Sequence, residues 1–179
     1  MKLIVGLGNY GDEYARTFHN MGFSAVSRLA EKLGVSITKR NCDALIGEIN
    51  LSGEKVILAL PQTYMNLSGD AVVKLLAYYK LTARDMLVIY DDVDLPAATL
   101  RIRKNGSAGT HNGMRDIVAK IGTQDFPRVR IGIGKPPAYV PLADYVLSVV
   151  PQNMREAFDK AFDEASEAAL KFTDGKLFT

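Results

Sequence analysis

Lys2-Leu3-Ile4-Val5-Gly6-Leu7 runs straight into Gly8-Asn9-Tyr10-Gly11, and a helical pattern begins only at Thr17. This opening stretch decides the fold. A continuous Leu-Ile-Val run is a buried strand, and the glycines after it mark the turn that leaves the strand. Thr17 caps a helix that runs from Phe18 to Leu33, and Gly34 stops it. A strand, a glycine turn and a helix form the first half of an α/β unit.

Gly6, Gly8 and Gly11 also match G-x-G-x-x-G, the spacing of dinucleotide-binding loops. That fingerprint needs the helix to open at once, so that a pyrophosphate meets its N-terminus. Here Asp12, Glu13 and Tyr14 intervene, and the acid about twenty residues on, Glu31, falls inside a helix. A strand-end acid for the ribose is therefore missing, although Lys39-Arg40 suits a 2′-phosphate and keeps an NADP-binding oxidoreductase open as an alternative. Asn105-Gly106-Ser107-Ala108-Gly109 lacks the glycine that a nucleophile elbow places two residues before its serine. No P-loop is present, and Asp91, Asp92 and Asp94 lack the glycine and distant glutamate of a calcium loop.

Beyond the opening unit, residues 44–51 and 55–60 read as strands joined by the turn Ser52-Gly53-Glu54. Residues 68–79 keep helical spacing through Ala71, Val72, Leu75, Leu76 and Tyr79. Residues 86–90 form an apolar run ending in Asp91-Asp92-Val93-Asp94. Residues 99–103 and 128–133 alternate, which sets Arg101 and Arg103 on one face of their strand and Arg128 and Arg130 on one face of theirs. A small-residue loop, 105–110, leads into a helix over 112–121. Pro151 opens a last amphipathic helix with Phe158, Phe162, Ala165, Ala169 and Phe172 along one stripe. The expected fold is α/β: a single three-layer domain over residues 1–179, with a twisted mixed β-sheet flanked by helices.

The 179 residues are 47% hydrophobic and 23% charged, which suits one well-buried core and excludes a disordered chain. No apolar run reaches membrane-spanning length. One cysteine, Cys42, allows no internal disulfide and fits a reducing cytoplasm. With one cysteine and two histidines a Cys/His zinc site is nearly excluded, so no metal is expected. The net charge of +2 hides an asymmetry. Between Arg101 and Lys135, eight basic residues face two acidic ones, so that stretch carries +6 and the remainder −4. A phosphate backbone is the partner such a stretch suits.

The two histidines are both followed by asparagine, His19-Asn20 and His111-Asn112. Imidazole is the side chain suited to proton transfer near neutral pH, so a general base of that kind has two candidates. Asn9, His19, Asn66, Asp91 and Asn112 all fall at strand or helix ends, where open α/β sheets bind ligands. His19 with Asp91 makes a base and its orienter, and side-chain amides suit an oxyanion or a substrate backbone.

Residues 2–9, followed by Thr17-Phe18-His19-Asn20-Met21-Gly22, closely resemble the opening of bacterial peptidyl-tRNA hydrolases. Pro61-Gln62-Thr63-Tyr64-Met65-Asn66-Leu67-Ser68-Gly69 resembles a second block of that family. Asp91-Asp92-Val93-Asp94-Leu95-Pro96 and Gly109-Thr110-His111-Asn112-Gly113-Met114-Arg115-Asp116 resemble a third and a fourth. Order and spacing are kept across essentially the whole chain. The resemblance implies a cytoplasmic, monomeric, cofactor-free esterase that cleaves peptide from tRNA, with no membrane partner and nothing said of the ribosome. It gives His19 the role of catalytic base and Asp91 that of its partner. Asn9 falls on the position that senses a blocked amino group. Tyr14, Tyr64, Asn66, His111 and Asn112 fall on tRNA or substrate contacts, Met65 lines the site, and Arg103 and Arg130 clamp phosphate. Phe18, Tyr10, Asp12, Asn105, Ser107 and Thr110 depart from the family pattern, and none removes a catalytic group. A non-catalytic RNA-binding relative is the rival, against which stands the joint retention of Asn9, His19, Asn66 and Asp91.

Overall fold

The computed structural model describes residues 1–179. Its strands are β1 (Lys2–Gly6), β2 (Lys39–Asn41), β3 (Ala44–Leu51), β4 (Glu54–Pro61), β5 (Met86–Asp92), β6 (Leu100–Arg103) and β7 (Arg128–Gly132). Its helices are α1 (Met21–Leu33), α2 (Ser68–Tyr79), α3 (Asn112–Ile121), α4 (Leu142–Val146) and α5 (Arg155–Thr173). One seven-stranded sheet runs in the order β2-β3-β4-β1-β5-β7-β6. The middle strands β4, β1, β5 and β7 are parallel, and β2, β3 and β6 are added antiparallel at the edges.

Successive side chains of a strand point to opposite faces, and the central strands are apolar on both. On one face Ile4, Leu58, Leu87, Ile89, Val129 and Ile131 pack with α1 and α5, through Val26, Leu29, Phe158 and Ala165. On the other, Leu3, Val5, Ile57, Met86, Val88 and Tyr90 pack with α2 and α3, through Val72, Leu75, Met114 and Ile117. Each fully buried aliphatic side chain contributes about 1.5–3 kcal/mol by leaving water. The expected mixed sheet between two helical layers is therefore what forms.

Local differences have local causes. The turn between β3 and β4 is two residues long, because Glu54 already pairs with Leu51. Ser52 and Gly53 carry φ of 52° and 84°. Both signs are those of a type I′ turn, whose twist matches the strands, and Asn50 Oδ1 accepts the Gly53 N–H at 2.9 Å. The first helix begins as a 3₁₀ turn, Phe18–Asn20, and becomes α-helical at Met21. The Thr17 hydroxyl donates backward to the Tyr14 carbonyl at 2.8 Å and makes no cap bond. β2 and α4 are additions to the expected elements, too short to show a period in the sequence.

The glycines of the opening stretch serve packing. A Cβ on Gly6 would lie 2.3 Å from the Gly22 carbonyl oxygen, and one on Gly22 would lie 2.2 Å from that of Ile89. Helix α1 thus enters against the ends of β1 and β5 with no side chain between. A Cβ on Gly8 would meet the Phe23 ring at 2.6 Å. The space a pyrophosphate would need beside these glycines is occupied by protein, and a 3₁₀ turn, Asp12–Tyr14, separates Gly11 from the helix.

Candidate active site

The parallel strands all point their carboxyl ends one way, and His19, Asp91, His111, Asn112 and Arg130 gather there, whereas Arg103 pairs with Arg128 at the start of β7, toward the other end. His19 sits on the 3₁₀ turn entering α1, and its Nδ1 lies 2.8 Å from Asp91 Oδ2 near the end of β5. Asp91 is 2% exposed. Its other oxygen, Oδ1, lies 3.0 Å from Nε2 of His111. His111 is the N-cap of α3, where its Nδ1 accepts the Met114 backbone N–H at 3.2 Å. That bond fixes the ring's tautomer: Nδ1 carries no proton, so Nε2 does and donates to Asp91. Both nitrogens of His111 are thereby committed. His19 donates to Asp91 through Nδ1 and keeps Nε2 unengaged. Sequence reading places His111 among the substrate contacts, and here it is also the second partner of the buried carboxylate.

Burial alone pushes the Asp91 carboxyl up, but the two imidazoles facing it, His19 and then His111, hold it well below the usual carboxylate range. An unfolded Asp takes its proton near pH 4, and the folded one only far lower. The stability this arrangement adds is complete above about pH 5 and drains away as pH falls below about 4. The histidine nitrogens and a carboxylate oxygen of the three residues lie within 4.8 Å of one another, and they are the group that could hold a metal ion. Both nitrogens of His111 and both oxygens of Asp91 are already in hydrogen bonds, which an ion would have to break.

Asn9 leaves β1 beside the dyad. Asn20, which sequence reading does not single out, grips its backbone from both sides. Asn20 Oδ1 accepts the Asn9 N–H at 2.8 Å, and Asn20 Nδ2 donates to the Asn9 carbonyl at 2.9 Å. Asn9 Oδ1 then accepts the Met65 N–H at 2.7 Å, which leaves the Asn9 amide nitrogen unengaged. Met65 is buried and Tyr64 exposed, with Tyr64 at φ 59°, a strained value for a residue with a Cβ. Tyr10 stacks on Tyr64 at 4.2 Å, and Tyr14 meets Tyr64 edge-on at 6.3 Å. Asn66 is exposed on the turn before α2, and Asn112 exposed at the first position of α3.

A cleft of about 490 Å³ opens over the carboxylate, with His19, Asp91, His111, Asn112 and Arg130 in its walls and Leu142 and Val146 of α4 across from them. Phe18 fastens α4 there: its ring is buried, stacked on Tyr145 at 4.9 Å, and Tyr145 donates to the Ile133 carbonyl at 2.6 Å. A larger cleft of about 580 Å³, around Lys2, Arg84 and Lys104, lies at the opposite strand ends and contains no histidine.

The four alternating arginines do not all reach solvent. β6 and β7 are neighbours, pairing Arg101 with Arg130 and Arg103 with Arg128, so all four share a face. Arg103 is exposed, and Arg130 reaches the cleft with Nη1 3.7 Å from Asp92. Arg128 is fully buried under the loop 105–110 and bonds only to protein carbonyls. Alternation reports the side of a strand, and a loop can close that side.

With this geometry in place, three comparisons bear on it. A family model described as peptidyl-tRNA hydrolase matches residues 3–178. A peptidyl-tRNA hydrolase of Chloroflexus aurantiacus is 60% identical over 148 residues, covering 82% of this chain and 79% of the relative. One of Brevibacillus brevis is 45% identical over 173 residues, covering 97% and 92%. The crystal structure of peptidyl-tRNA hydrolase from Acinetobacter baumannii superposes with a TM-score of 0.92 at 38% identity, covering 99% of this chain and 90% of that one. From the first strand through the last helix, in sequence and in fold alike, the chain belongs to the peptidyl-tRNA hydrolase family.

Proposed function

We propose that this chain hydrolyses the ester between peptide and tRNA in peptidyl-tRNA with His19 as the general base, freeing tRNA from abandoned translation. The observation that carries the choice of base is the unequal use of the two imidazoles. His111 has both nitrogens committed, whereas His19 has its Nδ1–H anchored on a buried carboxylate and Nε2 open. A neutral His19 takes a proton from water at Nε2, and the water attacks the ester carbonyl. Asp91 stabilises the imidazolium as it forms. Asn66, with a backbone N–H, receives the oxyanion. The proton then passes to the departing ribose oxygen, a good enough leaving group that no covalent intermediate is needed. Tyr14, Tyr64 and Asn112 hold the acceptor end and Met65 lines the site. The chemistry asks for no metal, so activity survives a chelator. The working form is a monomer in the cytoplasm, and no helix is long and apolar enough to cross a membrane. Release of labelled N-acetylaminoacyl groups from tRNA, by wild type and by His19→Ala, tests the whole reading. Binding of tRNA without release would favour a non-catalytic RNA-binding relative.

Asn9 supplies the preference for blocked esters. With its backbone gripped by Asn20 and Oδ1 occupied by Met65, only Nδ2 is left to donate to the substrate's peptide group. Asn9→Asp keeps the acceptor for Met65 but turns that donor into an anionic acceptor. It loses the peptide contact and gains attraction for a free ammonium. The ratio of kcat/KM for N-acetylated over free aminoacyl-tRNA narrows by about tenfold, the size of one hydrogen bond to a charged or buried partner. An unchanged ratio would remove Asn9 from this role.

Arg103 and Arg130 grip tRNA phosphate. Their joint replacement by alanine raises KM for peptidyl-tRNA and flattens its salt dependence by roughly 0.7–0.9 per lost contact in log–log slope. Contacts that bind ground and transition state alike leave kcat little changed. Loss of kcat on a small ester without a tRNA body would instead make the pair structural.

A further inference from the structure

We propose that Arg128 is a positioning residue for this reaction: it suspends the loop 106–110 from β7 so that His111 reaches Asp91. The inference rests on the His19–Asp91 reading above and extends it to a residue outside the cleft. Arg128 is 0% exposed and has no carboxylate partner. Nη1 donates to the Gly106 carbonyl at 2.7 Å and toward that of Ser107 at 3.4 Å, Nη2 to Gln124 at 2.7 Å and Nε to Phe126 at 3.2 Å. The guanidinium lies 4.3 Å from the centre of the Phe126 ring. A buried cation without an anion is costly, and here its fork of donors is what offsets the cost. It joins two segments, the approach to β7 and the loop, that share one long backbone bond, Gly106 N–H to Gln124 at 3.4 Å.

From that anchor the loop is bonded onward without a gap. The Ala108 carbonyl accepts the His111 N–H at 3.3 Å, and the Gly109 carbonyl accepts Arg115 Nε at 2.8 Å. His111 then caps α3 with one nitrogen and meets Asp91 with the other. The loop backbone also crosses the neighbouring arginine. A Cβ on Gly106 would lie 3.2 Å from Arg130 Nη2 and 3.9 Å from Arg128 Nη1. The phosphate-facing guanidinium and the loop-bearing one thus lie under the same residue, one turned outward and one inward.

The test separates positioning from phosphate binding. Arg128→Met lowers kcat on N-acetylaminoacyl-tRNA by roughly tenfold to a hundredfold, the range in which a small misplacement of reacting groups is felt. The salt slope of KM stays at the wild-type value, and amide exchange at Met114, whose N–H caps on His111, quickens. Arg128→Lys, with a charge but no fork, recovers part of each loss. A wild-type kcat in the variants overturns the proposal. So does a flattened salt slope, which would put Arg128 on phosphate, and so does a lowered kcat with Met114 exchange unchanged. If Arg128→Met fails to fold, the same three readings on Arg128→Lys decide. His19→Ala, assayed alongside, keeps the two readings apart: full activity there overturns the base assignment, and Met114 exchange in the Arg128 variants still judges the loop.

Discussion

His19→Ala lowers kcat for N-acetylaminoacyl-tRNA by about 10²–10⁴-fold, the contribution of a positioned general base, and leaves tRNA binding in place. Binding survives because Arg103 and Arg130, the residues proposed to grip phosphate, sit on β6 and β7, apart from the turn that carries His19. His111→Ala is the informative partner. It removes a helix cap worth about 0.5–2 kcal/mol and one of two donors to Asp91, but no base, so its rate loss is the smaller of the two. The rate of wild type falls in acid, because a general base must be unprotonated to take a proton from water. Asp91 adds no limb there, because its carboxyl titrates below the usual carboxylate range. Equal activity of His19→Ala and wild type would transfer suspicion to His111.

Asp91→Asn costs as much or more, up to about 10⁴-fold, the size the same exchange has in a Ser-His-Asp triad. The reason lies in counting donors. Asp91 accepts from two imidazoles, one on each oxygen, and an amide has one oxygen to offer. If the NH₂ of the introduced amide faced His111, that ring would need both nitrogens bare, since the Met114 N–H already points at Nδ1. The NH₂ therefore turns to His19, whose Nδ1 must then accept, and the proton moves to Nε2 where the water should be deprotonated. The base is intact and in the wrong tautomer. Nitrogen chemical shifts of His19 in the variant read this directly, and an unchanged tautomer with a slow rate would point to lost charge instead.

The sequence carried the frame well. The Leu-Ile-Val run of β1, the bounds of α2 and α3, and the β3–β4 hairpin follow from periodicity and turn residues, which act over a few neighbours. The convergence of His19 with Asp91, 72 residues apart, is suggested by their places at a helix start and a strand end, and the family resemblance, not spacing, singles out the pair. Three things were out of reach. Asn20 grips Asn9 through backbone atoms, a contact that nothing in a His-Asn pair announces. The link from His111 to Asp91 needs α3 to start where β5 ends, a tertiary fact, although a histidine just ahead of a helix is a hint that it caps. Arg128 alternates like Arg130, and only the loop above it distinguishes an inward cation from an outward one.

The registry of β1 against β5 has a catalytic consequence. Val5 lies beside Val88 and Gly6 beside Ile89, and the same alignment sets His19's turn level with Asp91. A slip of two residues would keep every side chain on its proper face, so what opposes it is the close fit of Gly6 and Gly22 at the strand ends and not the face pattern. The slip would carry the carboxylate about 6.6 Å along the strand, beyond reach of either imidazole. Such a slip would abolish hydrolysis while leaving helix and strand content unchanged, so enzymatic turnover is a reporter of strand alignment that optical probes of compactness cannot match.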